Sequence, residues 1–258
     1  MENQKIIVIG DIHGEELWKD IIRKHPDSKY IFLGDYCDPY HMICEDDVIA
    51  NLQSIINFKK QASEKIILLL GNHDIQYMYK EAECCTRRMI RAESEIRDIF
   101  RTNILLFDWG YKLGNLIFTH AGISQGWFRF SFPNVENSDV FEFITNSTKK
   151  EIAFACGYAR GGNMPYGGFF WASKSEMKDP LNGFIQIVGH NRVSEITVRR
   201  NIENDIVIFC DSLWNGKYLI IEETTNTVNF FDANLMEGIK LNIMSMDKEL
   251  MYGINGLV

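Results

Sequence analysis

The chain has 258 residues, 46% of them hydrophobic, enough to bury a sizeable core as one large domain. Lys and Arg total 27 against 35 Asp and Glu, a net charge of −8 that repels long nucleic acid and confines any polyanionic partner to a local basic or metallic site. No apolar run reaches the ~18 residues of a membrane span, and the six cysteines contain no CxxC pair, so the expectation is reduced thiols in a cytoplasmic protein without a membrane partner.

In chain order, three continuous apolar runs come first: Ile6 to Ile9, Tyr30 to Leu33, and Ile66 to Leu70. Runs without alternation suit strands covered on both faces. Between them, Leu17, Ile21 and Ile22, then Val48, Ile49, Leu52, Ile55, Ile56 and Phe58, recur at helical spacing. This is a β-α-β-α-β order, which predicts parallel strands with right-handed crossovers. A charged stretch from Ile75 to Arg101 is predicted as helix, with Arg87 and Arg88 over the crevice if that helix leans there. Strands are expected at Ile104 to Phe107, Tyr111 to Leu113 and Leu116 to Thr119. A polar helical stretch follows from Glu136 to Ala155, then a glycine-rich segment, Gly157 to Phe170. The last third returns to strands: Phe184 to Val188, Ile196 to Val198, Ile206 to Cys210, Tyr218 to Ile221 and Val228 to Phe231. Residues 238–258 show no period, and no linker or repeat divides the chain, so residues 1–258 are read as a single α/β domain.

The histidines are concentrated at strand ends. Of six, four (His13, His73, His120, His190) sit where an apolar run closes on a Gly-containing turn, and open α/β sheets bind ligands at the carboxyl ends of their strands. Asp11 and His13, one residue apart, present side chains to one side of an extended segment and can grip one cation, with Asp35 as a third ligand. Asn72, His120 and His190 supply an amide oxygen and two imidazoles for a second cation that shares the Asp35 carboxylate. Mixed O/N ligation without thiolate favours Mn, Fe, Zn or Ni over an iron–sulfur or structural zinc site. Two such ions about 3.5–4 Å apart form an apparatus for in-line displacement at phosphorus.

GDIHG at 10–14, GDYCD at 34–38, GNHD at 71–74, THAG at 119–122 and VGH at 188–190 together resemble, in the same order, the five motifs of the calcineurin-like metallophosphoesterases, closest to the phosphoprotein-phosphatase branch. The resemblance implies a four-layer α-β-β-α sandwich with a dinuclear metal site at the strand carboxyl ends. It implies Asp11 and His13 on the first ion, Asp35 bridging, and Asn72, His120 and His190 on the second, with two divalent cations, manganese foremost, as cofactors. A hydroxide bridging the ions would attack phosphorus directly. By the same resemblance Asp38 pairs with His73, keeping it protonated so that it can give its proton to the leaving alkoxide; the alternative for Asp38 is a turn acid capping its own backbone.

Two departures from the pattern bear on the substrate. The phosphatase pattern continues its second motif with Arg-Gly, an arginine that clamps phosphate, whereas here Asp38 is followed by Pro39-Tyr40. The third motif lacks its arginine too, and Asp74 replaces Glu. Arg160, in an Arg-Gly context within the glycine-rich segment, is the candidate replacement for phosphate binding, with Arg192 behind it. Met164 to Trp171 either lines a pocket for a base or peptide side chain or seals the core, and Tyr36 and Tyr40 either border the site or pack. His25 and His41 are read as peripheral. The expected partner is a phosphorylated substrate: a small molecule, nucleotide or phosphoprotein. The expected activity is metal-dependent phosphomonoester hydrolysis. The alternatives are hydrolysis of phosphoanhydrides or diesters such as dinucleoside polyphosphates, a nuclease, or a non-catalytic scaffold.

Overall fold

The computed structural model describes residues 5–137, 140, 150–224 and 227–232. Most of the predicted polar helix at 136–155 and all of the 238–258 segment lie outside them. Among the described residues eleven strands form two sheets. The first holds β1 (Lys5–Ile9), β2 (Lys29–Phe32), β3 (Ile66–Leu69), β4 (Phe107–Asp108), β10 (Leu219–Thr224) and β11 (Thr227–Asp232), in the order β11-β10-β1-β2-β3-β4. The second orders β5 (Gly110–Leu113), β6 (Leu116–Thr119), β7 (Ile185–Val188), β9 (Ile206–Phe209) and β8 (Thr197–Arg200) as β5-β6-β7-β9-β8. β1 to β4 are parallel, as are β6, β7 and β9, and five of these strands, β1, β2, β3, β6 and β7, carry or continue into the motif residues at their carboxyl ends.

Side-chain alternation sorts each strand between two cores. Ile6 and Val8 of β1, Ile31 of β2 and Leu69 of β3 pack with Phe118, Ile185, Ile187, Ile206 and Ile208 of the second sheet, filling the space between the sheets. Ile7, Ile9, Tyr30, Phe32, Ile66 and Leu68 face the other way, onto the helices α1 (Leu17–Lys24) and α2 (Glu45–Gln61). That the strands are apolar throughout follows from this double burial. α2 carries Glu45, Asp46 and Asp47 in its first turn and Lys59 and Lys60 in its last, each charge opposing the helix dipole, while Val48, Leu52, Ile55 and Ile56 form its buried face. The outer face of the second sheet, Val207 and Phe209, is covered by Ala172, Met177 and Val193. The predicted α/β class and the two facing sheets are thus present.

Two predicted elements differ. The helix expected over Ile75 to Arg101 is instead α3 (Asn72–Met78) and α4 (Glu93–Thr102) with an irregular segment between. The backbone N–H groups that would propagate a helix there are taken by side chains: Cys85 N–H donates to Gln76 Oε1 at 2.9 Å, and Met89 N–H to Tyr77 Oη at 2.9 Å. Arg87, with φ of 61°, cannot be helical. The strand expected at Ile104 to Phe107 is a 3₁₀ turn over Ile104–Leu106 that leaves Leu105 97% exposed, so only Phe107 joins the sheet edge. Two further helices among the described residues are α5 (Gln125–Ser131), capped by the Ser124 hydroxyl accepting from Trp127 N–H, and α6 (Lys150–Ala153).

Candidate metal centre

Each strand end delivers its motif through a tight backbone. Among the described residues six non-glycine residues have left-handed φ, and five of them, His13, Asp35, Asp38, Arg87 and His190, lie at this site. Such conformations cost about 1 kcal/mol or more each and persist where the surroundings fix them. Gly34 (φ 106°) and Gly71 bring two motif loops into contact: a Cβ on Gly34 would lie 2.4 Å from Gly71 N, and one on Gly71 would lie 2.1 Å from Asp35 Oδ1.

Asp74 locks these loops. Its Oδ2 accepts from Gly71 N–H and Asp35 N–H, both at 2.7 Å, and its Oδ1 from Tyr36 N–H at 2.9 Å. As the third residue of α3 it is the carboxylate half of a capping box. Burial, then the Asp35 charge, push its carboxyl up, while the three donors oppose them. Asp74→Ala is expected to cost roughly 3–5 kcal/mol, because it strands three buried N–H groups. Thermal denaturation beside Asp74→Glu checks this; an unchanged midpoint would contradict the locking role.

The ligand-type atoms converge on Asp35. His13 Nδ1 lies 2.9 Å from the Cys37 carbonyl, which accepts its proton and leaves Nε2 as a lone pair in the neutral ring. That Nε2 is buried without a hydrogen-bond partner, 3.5 Å from Asp35 Oδ2 and 3.9 Å from Asp11 Oδ2. His120 repeats the device: Nδ1 is 2.8 Å from the Leu33 carbonyl, while Nε2 faces Asn72 Oδ1 at 2.8 Å and Asp35 Oδ2 at 3.4 Å. His190 sets Nδ1 2.9 Å from the same Asn72 oxygen. Its backbone N–H donates to both oxygens of Asp11, at 2.9 and 3.0 Å.

In neutral rings these are lone pairs and acceptors facing one another with too few protons between them, which a cation resolves. Separations near 3–3.5 Å suit neighbouring ligands of an ion about 2.0–2.2 Å from each. Burial lowers His13 to about 4 and holds His190 well below its ordinary value, aided there by Arg160, so both favour the ligating neutral form. Asp35 lies far below the carboxylate range although burial opposes this, because His120 and His73 beside it favour the anion. The donor set therefore fits divalent cations, and two overlapping clusters, His13-Asp35-His73 and Asp35-His120-His190, share Asp35.

Asp38 is fully buried. Its Oδ2 accepts from His73 Nδ1 at 2.7 Å and from the Gln76 amide, and its Oδ1 from the Tyr77 hydroxyl and, at 3.3 Å, Met89 N–H. Burial pulls His73 down, but Asp35 and Asp38 outweigh it and raise its pKa. Gln76, Tyr77 and Met89 were not anticipated: their spacing from Asp38 is long in sequence, and they reach it only through α3, which carries Gln76 and Tyr77, and the irregular segment after it, which carries Met89.

Asp211 was also missed. It follows β9, is 2% exposed, and has a buried Oδ2 without a hydrogen-bond partner. Burial, then Asp35, push it to about 6. The signal was present, since Ile206 to Cys210 is another apolar run that closes on an acid. Arg160 donates from Nη2 to Asn191 Oδ1 at 2.5 Å, beside His190. Arg192 is exposed, with its guanidinium on the rings of Tyr40 and Trp214. Of the two readings of Met164 to Trp171, core sealing holds for Phe169 and Phe170, which are buried against Trp109 and Phe154 or one another; Trp171 sits edge-on to His190 at 5.8 Å. His25 bonds the Tyr218 hydroxyl at 2.9 Å, whereas His41 lines a cleft beside the centre. Among the described residues no helix is long and apolar enough to cross a membrane.

A family model for calcineurin-like phosphoesterases matches residues 4–190. Serine/threonine-protein phosphatase PP1-delta of Caenorhabditis elegans is 30% identical over 132 residues, 46% of this chain and 39% of that protein. A second Caenorhabditis elegans protein, C27B7.6, carrying the name of a serine/threonine-protein phosphatase, is 28% identical over 160 residues, 58% of this chain. The chain spans 31% and 39% of the length of these curated relatives. Among solved structures, the cold-active protein-tyrosine phosphatase of a psychrophilic Shewanella superposes with a TM-score of 0.57 at 17% identity, covering 88% of this chain and 77% of that one. A Saccharomyces cerevisiae protein serine/threonine phosphatase superposes at 0.53 with 16% identity, covering 92% and 82%. These two likenesses speak to the fold.

Proposed function

The chain belongs to the calcineurin-like phosphoesterase family, and from that premise we propose that it is a hydrolase that cleaves phosphomonoesters, phosphoproteins among them, at a two-cation centre held by its own strand ends. Asp11 and His13 would hold one ion and Asn72, His120 and His190 the other, with Asp35 available to both sets. The observation that carries this reading is the shared Asp35 Oδ2, 3.5 Å from His13 Nε2 and 3.4 Å from His120 Nε2. When bound, the cations supply Lewis acidity to the phosphoryl oxygens and ionise the attacking water near neutral pH. Manganese is the first choice, with iron, zinc or nickel compatible with the same ligands.

The remaining work falls to side chains. His73 donates its proton to the departing oxygen, and Asp38, held by Gln76 and Tyr77, orients the imidazole and favours its charged form. Arg160 takes the phosphoryl oxygens in the place left by the missing second-motif arginine, and Arg192 stands at the mouth. Six free thiols support a reducing, cytoplasmic setting. A site built by strands from both sheets supports a single domain.

Initial rates on p-nitrophenyl phosphate and bis-p-nitrophenyl phosphate with manganese-loaded protein test the reading. Faster turnover of the monoester is expected; preference for the diester would replace it with the phosphodiester or phosphoanhydride alternative.

A further inference from the structure

The arginine absent from the second motif leaves Pro39-Tyr40 in its place, and Tyr40 has become a gathering point for positive charge. Its ring lies edge-on to His13, with centroids 4.6 Å apart. The Arg87 guanidinium carbon is 3.8 Å from the Tyr40 centroid, and that of Arg192 is 4.5 Å from it and 4.2 Å from the Trp214 centroid. The two arginines come from unrelated segments, one between α3 and α4 and the other just after the fifth motif.

Neither guanidinium lies within 4 Å of an acid among the described residues, although the chain carries 35 acids to 27 bases. Arg88, one position away, pairs with Glu93 at 3.0 Å. Stacking on an aromatic face positions a guanidinium while leaving its in-plane N–H donors free for an oxyanion. Two such cations on one ring repel each other until an anion joins them. Arg87 also holds its left-handed φ of 61°, a conformation that clusters at ligand clamps.

The Arg192 side of this arrangement opens into a cleft of about 160 Å³ lined by Asp11, His13, Tyr40, Asp211, Trp214 and Arg192 among others. It is thus continuous with the metal centre. The indole of Trp214, 42% exposed, offers a flat face there.

We propose that Tyr40, Arg87 and Arg192 form a second anion subsite, one that takes the phosphoryl group next to the scissile one and so selects substrates with a diphosphate unit, of the nucleoside diphosphate type. The inference rests on the phosphoryl-binding reading of the metal centre and goes beyond its monoester substrates: the bond cut in such a substrate is the P–O–P anhydride, the terminal phosphoryl passing to water and the bridging oxygen leaving with the nucleoside monophosphate. Arg160 and the cations account for the scissile group. The Tyr40 pair stands one ring further out, beside a cleft whose exposed Trp214 indole matches a base.

Equilibrium binding of two uncleavable nucleotides, adenosine 5′-(α,β-methylene)diphosphate and the 5′-methylenephosphonate analogue of adenosine monophosphate, to the manganese-loaded full chain tests this without turnover. The wild type is expected to bind the diphosphate at least about tenfold more tightly than the monophosphate. Arg87→Gln and Arg192→Gln should each erase about tenfold of the diphosphate affinity and far less of the monophosphate affinity. Tyr40→Phe, which keeps the ring, should retain the preference that Tyr40→Leu loses. Equal affinity for the two nucleotides in the wild type, or equal losses for both in the arginine variants, would overturn the subsite. Hydrolysis of p-nitrophenyl phosphate by the same wild-type preparation separates the two readings: diphosphate preference without turnover sinks the hydrolase assignment alone, and turnover without diphosphate preference sinks the clamp alone.

Discussion

Asp35→Asn is expected to abolish metal-dependent phosphomonoester hydrolysis while the fold stays intact. The Asp35 carboxylate faces both halves of the centre, and burial together with the neighbouring imidazoles makes the loss of its charge an uncompensated change. The isosteric amide keeps an oxygen for the His73 N–H that Asp35 Oδ1 accepts at 2.8 Å, so the loop geometry has reason to survive. What disappears is the anion that joins His13 to His120. Losing the bridged pair removes several kcal/mol of transition-state stabilisation, roughly a 10³-fold or greater fall in kcat/KM. Bound metal measured beside circular dichroism checks this: the variant should hold less metal with an unchanged spectrum. Full activity in a folded Asp35→Asn protein would remove Asp35 from the centre.

The second large effect belongs to His73. Its imidazole, 2.7 Å from a fully buried Asp38, is placed to donate a proton, and proton donation contributes about 10²–10⁴-fold. His73→Asn should lower kcat by that factor on alkyl phosphates such as phosphoserine, with a much smaller change in KM. The loss should shrink on p-nitrophenyl phosphate, whose leaving group is a far weaker base and needs less help. A purely structural histidine would impair both substrates equally, and that result would end the assignment. The sign of the pH effect follows from the same contacts. Burial lowers the His73 pKa, but Asp35 and Asp38 raise it above the ordinary 6.5, so the donor form extends to higher pH than in a free imidazole and is lost as pH rises through the raised value. Asp38→Asn removes one of the two raising charges and should move the basic limb of the kcat profile to lower pH.

The parts legible in the sequence are those in which a local pattern determines a position. The apolar runs at Ile6, Tyr30 and Ile66 declared doubly covered parallel strands, and the acids and histidines at their ends fell together in space because parallel strands aim their carboxyl ends the same way. The irregular segment after Met78 was not legible. Its residues have helical composition, but Gln76 and Tyr77 divert the N–H groups of Cys85 and Met89 to themselves, a tertiary effect that no local propensity reports. The arginines show the same limit. Arg192 could be suspected from its neighbour His190, but its partnership with Arg87 depends on Tyr40, 47 positions before Arg87 and 152 before Arg192, and appears only when three loops meet. Asp211 was legible and overlooked, because the rule that found Asp11 and Asp35 was not extended to the ninth strand.

Manganese titration of the metal-stripped full chain, with bound metal and p-nitrophenyl phosphate turnover followed in the same samples, bears most directly on the two-cation centre. Binding should saturate at two ions per chain, with turnover appearing as the second site fills. Saturation at one ion with full activity, or turnover that persists in the stripped protein, would contradict the paired centre built around Asp35.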